Sequence, residues 1–101
     1  MTDSRAEVDI RTAVLDDEVV RVEVTGEVDL LTVPSLAQAL AAAARLSPQR
    51  IDVDLSAVEF LSVSGAAELA QAATRTPVRV GPVSHASRVT LIAAGLDHLL
   101  G

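Results

Sequence analysis

The sequence predicts a single α/β domain, a mixed and mainly parallel β-sheet with helices packed largely on one face. Three observations lead there. The chain has 101 residues, half of them hydrophobic, which is enough for one core and too little for two. Apolar residues alternate with polar ones at Val20, Val22 and Val24 and again at Ile51, Val53 and Leu55, the period of a strand with one packed face. Alanine-rich segments of helical period separate the later strands, and strands that alternate with helices pair in parallel through right-handed crossovers.

The first two β-branched runs, 10–15 and 18–25, flank Asp16-Asp17 and predict a hairpin. After Gly26, the segment Glu27-Val28-Asp29-Leu30-Leu31 leads to Thr32, and Pro34 suits the first turn of a helix over about 33–45. Val33, Leu36, Leu40 and Ala44 recur on one face of that helix, and the alanines at 41–44 let it lie close to whatever it covers. Ser47-Pro48 ends it.

Ile51, Val53 and Leu55 alternate with Asp52, Asp54 and Ser56, which marks the central strand. Residues 60–65, Phe-Leu-Ser-Val-Ser-Gly, read as a loop into a second helix of roughly 66–73, with Leu69 inward and the Ser64 hydroxyl as its N-terminal cap. Thr76-Pro77 ends this helix. Val78 and Val80 make a short inner strand, Gly81-Pro82 turns the chain, Ser84 caps a last helix carrying Val89, Leu91 and Ile92, and Gly95 stops it. The order β-β-α-β-α-β-α fills residues 1–101 as one domain, with an ordered core over about 8–100 and no repeat or linker.

Composition narrows function. Fourteen acidic residues against eight basic ones give a net charge of −6, which repels phosphate backbones, and the lone aromatic Phe60 leaves no platform for stacking bases. These features argue against direct nucleic-acid binding. The absence of cysteine removes disulfides, thiolate metal sites and cysteine nucleophiles together. No apolar run approaches the length of a membrane span and the start, 1–7, is polar, so the expectation is a soluble cytoplasmic protein without membrane insertion.

Catalytic signatures are missing. His85 and His98 stand thirteen residues apart, with no carboxylate or second imidazole at ligand spacing, so no metal and no cofactor is expected. The glycines at 26, 65, 81, 95 and 101 fit no phosphate-binding loop. Asp52 and Asp54 share one face of one strand, the pattern of a solvated face rather than a carboxylate pocket. Ser62 and Ser64 could supply a nucleophile, but the G-x-S-x-G elbow is absent, and the enzyme reading is the minority one.

Gly26-Glu27-Val28-Asp29 after a strand, Thr32 opening a helix, the run from Ile51 to Phe60, and Ser64-Gly65 together resemble the STAS domain of bacterial anti-sigma factor antagonists. The likeness continues through Gly81-Pro82-Val83-Ser84, Arg88-Val89 and Ala94-Gly95-Leu96. It implies a STAS-like fold and a non-enzymatic regulator that works by partner switching. In that family the unmodified antagonist binds an anti-sigma factor, often a serine kinase, and phosphorylation of the antagonist reverses binding. The family motif, Asp-Ser-Ser-Gly or Asp-Ser/Thr-x-Gly, falls on Ser62, Val63, Ser64 and Gly65, so the acceptor position carries a valine. The resemblance therefore implies a permanently binding-competent antagonist, a displaced acceptor at Ser64 or Ser62, or a STAS module outside sigma-factor control. The partner-binding residues it implies are Leu61, Ser62, Val63, Ser64 and Gly65, bordered by Glu27, Asp29 and Thr32. The alternative of the same fold is a small STAS subunit docked on the ATPase of a lipid-transport ABC system.

Overall fold

Valine alternation organises the computed structural model, which describes residues 8–16 and 18–101. The sequence reading of 1–7 and of Asp17 lies outside the described residues. Strands β1 (Val8–Val14) and β2 (Val19–Val28) form an antiparallel hairpin, in which the Asp16 carboxylate accepts the N–H groups of Glu18 and Val19. Helix α1 (Val33–Arg45) then crosses to β3 (Arg50–Leu61), helix α2 (Val63–Ala73) to β4 (Val78–Val83), and helix α3 (His85–Ala93) closes the order before a short 3-10 turn at Asp97–Leu99. The sheet order is β1-β2-β3-β4, with β2, β3 and β4 mutually parallel.

One face of the sheet is apolar and carries the helices. Val20, Val22, Val24 and Val28 of β2 and Ile51, Val53, Leu55, Val58 and Leu61 of β3 are buried with Leu36 and Leu40 of α1, Leu69 of α2 and Leu91 of α3. Ala43, Ala66 and Ala72 are buried at the same contacts, where a small side chain lets a helix backbone come close. The opposite face is ionic: Arg21 reaches Asp54 at 2.6 Å and Glu23 at 3.1 Å, while Asp52 takes Arg50 at 2.6 Å and Arg79 at 3.8 Å. Asp52 and Asp54 thus line the polar strand face that alternation assigned them, in a cross-strand charge ladder.

The structure corrects three boundaries. The predicted loop over 60–65 is reduced to Ser62 alone, because β3 runs to Leu61 and α2 begins at Val63, three residues before the expected start. The segment after Gly26 is still strand, since β2 continues to Val28 alongside Leu61. Gly81-Pro82 does not turn the chain: β4 continues through it to Val83, which pairs with Leu55. Proline is tolerated there because β4 is an edge strand and needs no second ladder. That edge is closed locally by the chain's last residues, through a parallel bridge of Leu100 to Val80 and the Gly101 N–H donating to the Val80 carbonyl at 3.0 Å.

Candidate functional site

The two central strands end level with one another. Val28 pairs with Leu61, and the Ser62 N–H donates to the Val28 carbonyl at 2.8 Å, so the turns into α1 and α2 emerge side by side. The carboxyl ends of parallel strands are where α/β folds leave loops free to meet ligands and partners.

The first turn is held by Asp29 and Thr32. The Asp29 carboxylate accepts the N–H groups of Leu31 and Thr32 at 3.0 and 3.1 Å, and its carbonyl accepts the Val33 N–H at 2.8 Å. The Thr32 hydroxyl accepts the Asp29 N–H at 2.9 Å and donates to the Glu27 carbonyl at 2.8 Å. These bonds close the turn that leads into α1 and leave Thr32 only 6% exposed. Their consequence is that Leu30 and Leu31 point outward, 78% and 80% exposed.

The second turn is held by Ser62 and Gly65. Ser62, not Ser64, caps α2: its extended backbone is that of an N-cap, and its hydroxyl accepts the Gly65 N–H at 3.1 Å. Ser64 lies inside the first helical turn and its hydroxyl sits 2.8 Å from that of Ser62. A Cβ on Gly65 would come within 2.7 Å of Val28 Cγ1 and 2.8 Å of Leu61 Cδ1, so α2 enters over the strand ends at a distance only glycine permits. Leu61 faces inward and is buried, while Val63 faces solvent and is 73% exposed.

Helix α3 borders this region, fixed by the Thr90 hydroxyl donating to the Leu61 carbonyl at 2.9 Å. Val89 and Ile92 of α3 and Phe60 at the end of β3 are also exposed. The residues named from sequence therefore divide by task. Val63 is presented outward, Glu27, Asp29, Ser62 and Ser64 are half-buried, and Thr32, Leu61 and Gly65 are buried and position the others. Sequence reasoning missed Leu30 and Leu31. Their signal was present, since two leucines between an Asp and a Thr that bond each other across a tight turn have no way to turn inward.

Neither Ser62 nor Ser64 is hydrogen-bonded to an imidazole or a carboxylate among the described residues, and the pair bond each other and the α2 backbone. A nucleophilic serine needs an adjacent base. Among the described residues, no group of three or more His, Asp or Glu side chains could hold a metal ion, and no helix is long and apolar enough to cross a membrane.

A family model described as "Mlab, STAS domain" matches residues 12–101. No curated protein matches the chain. Among solved structures, an anti-sigma factor antagonist from Mycobacterium paratuberculosis is 35% identical, with 92% of this chain and 82% of that chain covered and a TM-score of 0.78. The anti-sigma factor antagonist SpoIIAA in its unphosphorylated form is 16% identical over 92% of this chain and 86% of that one, with a TM-score of 0.77. The phosphorylated form of SpoIIAA, a Bacillus cell fate determinant, is 17% identical over 92% and 89%, with a TM-score of 0.69. At these lower identities the likeness is one of fold.

Proposed function

Because the chain belongs to the STAS domain family, we propose that it is a bacterial, cytoplasmic anti-sigma factor antagonist, which regulates transcription by binding an anti-sigma factor or related serine kinase at the carboxyl ends of β2 and β3. The similarity to the mycobacterial antagonist supports the general role. The observation that carries the site is that Val63, 73% exposed, and the exposed pair Leu30 and Leu31 stand on the two turns that leave the paired ends of β2 and β3, each turn fixed by hydrogen bonds. Exposed apolar side chains on a rigid, polar-bordered surface lower the cost of ordering on association. Glu27, Asp29 and Glu59 lie around these turns in a chain of net charge −6, so the matching surface on the partner is apolar with a basic rim.

Valine has no hydroxyl, so the ordinary phosphorylation switch does not operate at position 63. The Ser62 hydroxyl is committed to the α2 cap, which leaves Ser64 as the acceptor in any modification of this turn. The protein then acts as an antagonist that stays competent to bind, with release governed by partner concentration or by Ser64. A phosphate at the first turn of α2 would meet the positive end of the helix, so its effect falls on the interface and not on folding.

A second reading, the STAS subunit docked on a lipid-transport ATPase, is favoured by two observations. The matching family model carries the "Mlab, STAS domain" description, and such a subunit needs a docking face without a modifiable residue at Val63. Affinity capture with tagged wild type, Leu31→Asp and Val63→Asp separates the readings. An anti-sigma factor retained by wild type and lost by both variants supports the first. A transporter ATPase in its place establishes the second, and capture unaffected by either substitution removes the site.

A further inference from the structure

We propose that two copies of this chain associate edge to edge through β1, antiparallel, with Ile10 on the two-fold axis, to give a continuous eight-stranded sheet. The inference is independent of the partner-binding reading. It starts from an asymmetry between the two edges. On the β4 edge, Pro82 and the bridge from Leu100 to Val80 remove donors and cover the strand. On the β1 edge, among the described residues, seven consecutive residues pair with β2 without a bulge, no proline intervenes, and no element covers the outer side. Long, regular, uncovered edges invite pairing with another strand.

The register follows from hydrogen-bond geometry. The Leu15 N–H donates to the Val19 carbonyl at 2.9 Å, so the bonded pairs of the hairpin are Leu15/Val19, Ala13/Arg21, Arg11/Glu23 and Asp9/Thr25. The backbone groups of Val8, Ile10, Thr12 and Val14 therefore point away from β2. A second β1 must bond to those even-numbered residues, and the two-fold registers that pair at least three of the four are centred on residue 10, 11 or 12.

Charge selects among them. Centring on Arg11 sets Arg11 against its own copy, and like charges directly opposite are destabilising. Centring on Thr12 places Asp9 opposite Leu15. Centring on Ile10 places Asp9 opposite Arg11 twice, in the non-bonded pairs where side chains approach closest. Both side chains are free to do this: they are 67% and 80% exposed, joined only by a 3.4 Å contact within their own strand. On the helix-bearing side the same register brings the two Ile10 side chains together. Because the interface is isologous, it closes at two copies.

The test uses the absence of cysteine from the chain. Sedimentation equilibrium of the full chain is expected to show a concentration-dependent species of twice 10.5 kDa. In the proposed register the Ile10 Cα atoms lie roughly 5.5 Å apart, within disulfide reach, so Ile10→Cys should cross-link on mild oxidation. Arg11→Cys and Thr12→Cys report the other two registers, and preferential cross-linking of either overturns the proposal. Asp9→Arg should raise the dimer dissociation constant by roughly tenfold or more, and Asp9→Arg with Arg11→Asp should restore it. A wild-type chain that stays monomeric at every concentration, with Ile10→Cys folded by circular dichroism and not cross-linked, also overturns it.

Discussion

The hydroxyls of Ser62 and Ser64 lie 2.8 Å apart, yet only Ser62 caps the helix that follows, through the Gly65 N–H. Loss of a serine N-cap typically costs about 1 kcal/mol, whereas a half-buried first-turn serine costs less. Ser62→Ala is therefore expected to lower unfolding stability by about 1 kcal/mol and Ser64→Ala by under about 0.5 kcal/mol. Urea unfolding of the two variants side by side measures the difference. The opposite ranking would return the cap to Ser64.

Gly65 sits where the first turn of α2 meets the side chains of Val28 and Leu61. A methyl group there has no free volume, since both neighbours would lie under 3 Å from it. Overpacking of this kind costs roughly 1–3 kcal/mol, partly relieved by displacing the helix. Gly65→Ala is expected to fall in that range and to weaken partner capture as well, because the displaced turn carries Val63. Stability equal to wild type would show that α2 is not pinned at this point.

The limits of α1 are legible in the sequence because Pro34 suits only a first turn and Ser47-Pro48 permits no continuation, so local chemistry alone places both ends. The strand faces are legible for a similar reason, since a slip of one residue would bury Asp52 and Asp54 and expose Ile51 and Val53. The start of α2 is not. Ser62 and Ser64 are both competent caps, and the choice between them is made by Gly65, whose close approach to Val28 and Leu61 fixes the helix start at Val63. That contact joins β2, β3 and α2, and nothing local to residues 60–65 announces it. Gly81-Pro82 misleads in the same way: the dipeptide signals a turn, but its position on a sheet edge lets the strand pass through.

Leu30 and Leu31 contribute little to the core, so replacing them tests surface function without confounding it with folding. Leu31→Asp is expected to change unfolding stability by no more than about 0.5 kcal/mol, the usual range for exposed positions. Leu69→Ala, at a fully buried position of α2, should cost about 2–5 kcal/mol in the same assay. Partner capture should show the reverse dependence on Leu31. A Leu31→Asp chain that unfolds as early as Leu69→Ala would mean the leucine is covered in solution.

Asp54 gives the fold a pH dependence. Burial pushes its carboxyl up, but the Ser56 hydroxyl and N–H and the Arg21 guanidinium outweigh this and hold it below the ordinary carboxylate range. A carboxyl lowered by folding stabilises the native state above its unfolded pKa of about 3.9, and that contribution disappears as the pH falls through the folded value. Asp54→Asn is thus expected to be less stable than wild type at neutral pH, by on the order of 1 kcal/mol, for a half-buried pair on the polar face of the sheet. The gap should close on acidification below about pH 4. Thermal melts of both proteins across the acid range test this, and a gap independent of pH would assign the loss to packing.

Val63 offers the most direct test of the proposal that this chain lacks the ordinary switch. It is the first residue of α2 and projects from the helix start, so Val63→Ser places a hydroxyl in the open without disturbing the Ser62 cap or the Gly65 contact. Exchange of an exposed valine at a first helical turn should change stability by no more than about 0.5 kcal/mol. If the partner is a serine kinase, incubation with it and ATP should add one phosphate to Val63→Ser and none to wild type, as read by intact mass. The added charge of about −2 would be tolerated by the helix dipole but would fall within the proposed apolar interface, so the modified variant should release its partner. Phosphate on wild type that disappears in Ser64→Ala would instead place the switch one residue further along the helix. Modification of Val63→Ser without release would dissociate residue 63 from the interface altogether.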